Sequence, residues 1–122
     1  MFRKRCALLA LSLFASATAM AQPLPKLSAQ GLLTGSAGHT LYTYDADGAS
    51  GSSHCTGPCA ALWPPYVADN TAQPVGQYSI TVRADGVHQW VYKSHPLYLY
   101  AGDDKPGDAH GDGMNGHWHV VH

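Results

Sequence analysis

The chain has 122 residues, eight Asp, no Glu, seven Lys or Arg and eight His, for a formal net charge of −1 with the histidines neutral. Three of the cations, Arg3, Lys4 and Arg5, sit at the very start, so from residue 22 onward four cations face eight acids. That balance leaves no basic face for nucleic acid, and the length suits one small domain with a modest core.

The opening stretch MFRKRCALLALSLFASATAMA joins a basic start, an apolar run from Ala7 to Ala15 and an Ala19-Met20-Ala21 box. It reads as a secretory signal peptide over residues 1–21, cleaved before Gln22, and predicts export to the periplasm or the medium. The apolar run falls short of the roughly 20 residues a membrane span needs. Cys6 stands among the basic residues without the small-residue box that a lipoprotein signal requires, so no lipid anchor is expected.

A polar, Pro-containing lead follows over residues 22–30, and the β domain is read over 31–122. All the acids being Asp favours turns and caps over helix interiors. TLYTY (40–44), YSITV (78–82), HQWVY (88–92), PLYLY (96–100) and HWHVV (117–121) each read as a short strand rich in aromatic and β-branched residues. Asp85-Gly86 marks a hairpin between the second and third, and Lys93-Ser94 turns the chain into the fourth. Helical periodicity appears only at PCAALW, where Pro58 suits the first position of a single turn. Cys55 and Cys59 in CTGPC most simply form one disulfide in an oxidising compartment. A copper-binding or redox Cys-x-x-x-Cys of the thioredoxin kind is the alternative, and no βαβ pattern accompanies it.

Laying His39–Asp47 (HTLYTYDAD) over His95–Asp103 (HPLYLYAGD) matches His, Leu, Tyr, Tyr and Asp at an offset of 56 residues. The offset pairs His54 with His110 and, after one deletion, Trp63 with Trp118, giving repeat units of about 38–68 and 94–121. The expected fold is therefore mostly β, a small single domain of antiparallel strands built from two related units and one disulfide. With these two Tyr-x-Tyr-x-x-Asp copies (Tyr42, Tyr44, Asp47; Tyr98, Tyr100, Asp103), CTGPCAALWPP and KPGDAHGDGMNGHWHVV, the chain resembles the secreted-repeat proteins described as predicted lipoproteins with a Tyr-x-(Phe/Trp/Tyr)-x-x-Asp motif. The resemblance spans nearly all of the chain after residue 21 and implies a repeat architecture. It implies no particular activity, and membrane anchoring is not carried over without a lipobox.

The repeated tyrosines lie two apart on their strands and share one face, opposite Leu41 and Leu97, which reads first as packing. Asp47 and Asp103 are read as caps of the following turn or acceptors for a tyrosine hydroxyl. DAHGDG near the end resembles the start of a calcium loop, but His110 and His119 fall where oxygen ligands belong. His117 and His119, placed i and i+2 on a strand, are expected to project together. With His110, and with His54 or Met114 as additions, they form the candidate site for copper or zinc. No nucleophile elbow, phosphate loop or Glu acid is present, so the expected function is non-catalytic: transition-metal binding, or a cell-envelope protein- or glycan-interaction module in which the histidines are incidental.

Overall fold

The computed structural model describes residues 20–122; the signal peptide expected over residues 1–21 lies, up to residue 19, outside the described residues. Among the described residues, seven short strands, one α-helical turn, α1 (Pro58–Leu62), and three 3-10 turns make up the regular structure. The strands are β1 (Lys26–Leu27), β2 (Leu33–Thr34), β3 (Tyr42–Tyr44), β4 (Tyr78–Val82), β5 (His88–Tyr92), β6 (His95–Pro96) and β7 (Trp118–Val120). They pair antiparallel as β1-β2, β3-β7 and β4-β5-β6. No helix of the described residues is long and apolar enough to cross a membrane.

Turn chemistry sets these pairings. Gly86, at φ 83°, closes the β4–β5 hairpin, while Arg83 N–H donates to the Val87 carbonyl at 2.9 Å. Lys93 and Ser94 both take positive φ (47° and 68°) between the paired residues Tyr92 and His95, the two-residue geometry that matches strand twist. Pro58 occupies the start of α1 as its sequence position predicts.

The expected strand 96–100 is extended but does not stay in one ladder. Leu97 donates to Trp90, Tyr98 to Tyr42 and Leu99 to Pro64, so successive residues bond three different neighbours and β6 ends at Pro96. This segment therefore stitches the sheets together. Residue alternation then builds two cores, one on each side of the central strands. Leu41 and Leu97 enter a core with Leu33, Tyr66, Ala68 and Trp90. Tyr42 and Tyr98 enter the other, with Cys55, Trp63 and Trp118. The Cys55–Cys59 disulfide forms and fastens α1 to this second core. A loop this short contributes about 2 kcal/mol on the chain-entropy estimate.

Residues 22–30 are no loose lead. Lys26–Leu27 pair with Leu33–Thr34, Trp90 Nε1 donates to the Gln22 carbonyl at 3.0 Å and the Tyr66 hydroxyl to that of Pro23 at 2.7 Å. The buried ends of two aromatic side chains need acceptors, and the lead supplies both.

Candidate functional site

The two repeat units meet about an approximate two-fold axis. Tyr42 and Tyr98, 56 residues apart, exchange both backbone N–H···O bonds, at 2.9 and 3.0 Å. Their hydroxyls cross over: Tyr42 donates to Asp103 Oδ2 and Tyr98 to Asp47 Oδ2, each at 2.5 Å. Each repeat's Asp is thus closed by the other repeat's Tyr. The second oxygen of each carboxylate caps its own loop, Asp47 Oδ1 accepting the His54 N–H at 2.7 Å and Asp103 Oδ1 the His110 N–H at 2.9 Å. Burial, followed by the bonds to Asp103 and Asp47, pushes both hydroxyls above the ordinary tyrosine range, so they stay donors.

The aromatic residues of the motif are consumed by packing. Tyr44, Trp118, Trp63 and Tyr100 form one stack, with ring centroids 4.2, 3.9 and 4.4 Å apart. Tyr42 meets Trp63 and Tyr98 meets Trp118 edge-on, both at 5.2 Å. With Trp63 and Trp118 only 3 % and 4 % exposed, the stack is a core and the Trp faces are not a surface platform.

The histidines divide differently from their expected grouping. His117 has helical backbone angles (φ −116°, ψ −13°) at the end of a 3-10 turn, and β7 begins only at Trp118. The two-residue alternation that would align His117 with His119 therefore does not reach it. His119 Nε2 instead lies 3.0 Å from the Asp45 carboxylate. Met114, partly buried, packs against the second core. His54 Nδ1 faces Asp47 Oδ1 at 3.3 Å, in the first repeat.

Among the described residues, one group of three side chains brings metal-ligating atoms within 4.8 Å of one another: Asp103, Asp108 and His110. His110 Nδ1 lies 3.3 Å from Asp103 Oδ1 and 3.8 Å from Asp108 Oδ2. Two ligands each about 2.0–2.1 Å from a tetrahedral zinc stand about 3.3–3.4 Å apart, close to the first spacing and shorter than the second. Backbone N–H groups of Lys105 and Asp104 donate to Asp108 Oδ2, each at 3.1 Å, and that of Lys105 does most to hold this carboxyl below its usual pKa. The imidazole is 66 % exposed while the Asp103 side chain is buried, so the group opens to solvent on one side and rests on the Tyr42 lock on the other.

A family model described as a secreted repeat of unknown function matches residues 28–66 and 79–122. The chain belongs to this family of secreted repeats. No curated protein and no solved structure matches it. Each matched repeat starts ahead of the Tyr-x-Tyr-x-x-Asp core and takes in neighbouring strands, β2 in the first copy and β4–β5 in the second. The secreted repeat also holds residues that its sequence does not single out. Arg83, buried, donates to Asp85, Ser53, Gln89 and the Cys55 carbonyl, tying the β4–β5 hairpin to the first repeat's loop. Asp108 supplies the third side chain of the His/Asp group. Its equivalent at the 56-residue offset is Ser52, the one departure that separates the two loops' donor sets.

Proposed function

We propose that this secreted repeat protein is a non-catalytic, exported module that binds a divalent transition metal, zinc or cupric ion, through Asp103, Asp108 and His110. The observation that carries the reading is that donor atoms of the three side chains lie within 4.8 Å of one another, with His110 Nδ1 3.3 Å from Asp103 Oδ1, which leaves room for a four-coordinate ion completed by water. One imidazole and two carboxylates favour a borderline divalent ion over cuprous copper, which prefers sulfur, and over calcium, which prefers oxygen alone. The Asp103 carboxylate accepts the Tyr42 hydroxyl and the His110 N–H, the supporting hydrogen bonds that orient a metal ligand. Protons and metal compete for the same donor atoms, so affinity falls on acidification.

The first repeat serves as an internal comparison. It keeps the Asp47–His54 pair at the same 3.3 Å but has Ser52 where a third ligand would stand. The shared pair is read as part of the fold's lock, and Asp108 as what turns that lock into a metal site. Titration of the mature protein with zinc and cupric ions against a competing chelator tests the reading. One saturable site is expected, weakened at least tenfold by Asp108→Asn or His110→Gln and unchanged by His117→Ala with His119→Ala. The reading fails if the wild type competes no better than the double Asp108→Asn, His110→Gln variant.

A further inference from the structure

The strongest unassigned feature is the chain start that leader cleavage creates. Gln22 N–H donates to the Val67 carbonyl at 2.8 Å, and the Gln22 carbonyl accepts from Trp90 Nε1 at 3.0 Å. Pro23 is fastened in turn by the buried Tyr66 hydroxyl, while Met20 stands 81 % exposed. Among the described residues, attachment to the domain begins at Gln22.

We propose that the mature protein starts at Gln22 and that this residue is closed to pyroglutamate. The proposal rests on cleavage after Ala21 and is independent of the metal reading. The freed amine nitrogen attacks the side-chain Cδ and forms the N–Cδ bond. The Cδ–Nε2 bond breaks, and ammonia leaves carrying a proton from the amine. No oxidant, reductant or further reactant enters.

Three features of the site favour the lactam. Among the described residues the side-chain amide of Gln22 bonds only the Met20 carbonyl, at 3.3 Å, and that partner departs with the leader, so the side chain is free to fold back. The lactam keeps one N–H, which matches the single Val67 acceptor, and leaves the carbonyl to Trp90 unchanged. A protonated amine would bring three N–H groups and a charge to the same spot. A closed terminus offers no amine to an aminopeptidase, which suits a protein working outside the cytoplasm.

Intact-mass and N-terminal peptide spectrometry of the exported protein, acidified at harvest, tests this. The expected mass is that of residues 22–122 less one ammonia, with Edman degradation blocked until pyroglutamyl aminopeptidase is added. A Gln22→Ala variant should be exported, retain its thermal midpoint and read Ala in the first Edman cycle. A free amine on Gln22, or a mature chain that begins at any other residue, overturns the proposal.

Discussion

Tyr42→Phe removes one hydroxyl and leaves the ring, so it isolates the bond that crosses between the repeats. In the wild type the hydroxyl lies 2.5 Å from Asp103 Oδ2 and also accepts the Gly111 N–H at 3.3 Å, with both Tyr42 and Asp103 buried. A hydrogen bond to a charged acceptor contributes about 1.5–3 kcal/mol, and a buried carboxylate stripped of a donor is costly. A loss of about 2 kcal/mol is expected, equivalent to a fall in Tm of roughly 8–16 °C for a domain this size. Urea unfolding with the disulfide intact measures it. The cycle with Asp103→Asn separates the bond from the ring's packing, and a coupling of about 1 kcal/mol or more is expected. Coupling near zero would refute the idea that the Tyr–Asp bond holds the repeats together.

Three further outcomes follow from the same geometry. Ser52→Asp restores the missing third donor in the first repeat and should raise zinc stoichiometry from one to two per chain, read by chelator competition; no second site would mean that the Asp108 position is not what distinguishes the loops. Burial raises the pKa of Tyr42 and Tyr98 and pushes that of Tyr66 up to about 12, so the stability they contribute is complete below the ordinary tyrosine value near 10 and drains away as pH rises above it. Thermal midpoints should hold flat up to pH 9 and drop beyond 10, and less steeply in Tyr42→Phe. A Cβ at Gly111 would stand 2.5 Å from the Trp63 ring, which the stack holds fixed, so Gly111→Ala should cost about 1–3 kcal/mol by forced repacking.

Local chemistry was legible in the sequence wherever neighbours along the chain decide it. Alternation marks β4 and β5, Asp85-Gly86 and Lys93-Ser94 mark their turns, and Pro58 marks α1. The 56-residue offset, after one deletion, aligns Trp63 with Trp118, and the two rings stack at 3.9 Å. An offset states equivalence, however, and not contact, so it could not say that Tyr42 bonds Asp103 instead of its own Asp47. The lead over residues 22–30 looked detached because its acceptors answer Trp90 and Tyr66, far along the chain. His117 and His119 were grouped by strand periodicity, and the 3-10 turn at Met114–Gly116, with Asn115 and Gly116 at positive φ, breaks that period one residue before β7. Asp108 does not stand out in the sequence because an Asp in a Gly-rich loop is ordinarily a turn residue. Only the closing of Asp103 against Tyr42 shows why the Asp103 carboxylate stands beside His110 and Asp108.

The most direct measurement is diffraction from zinc-soaked crystals of the mature protein, with anomalous differences recorded on both sides of the zinc edge. The account predicts one strong peak about 2.0–2.1 Å from His110 Nδ1 and from a carboxylate oxygen of both Asp103 and Asp108. A peak at His117 or His119 instead, or no peak at the Asp103–Asp108–His110 group, would contradict it.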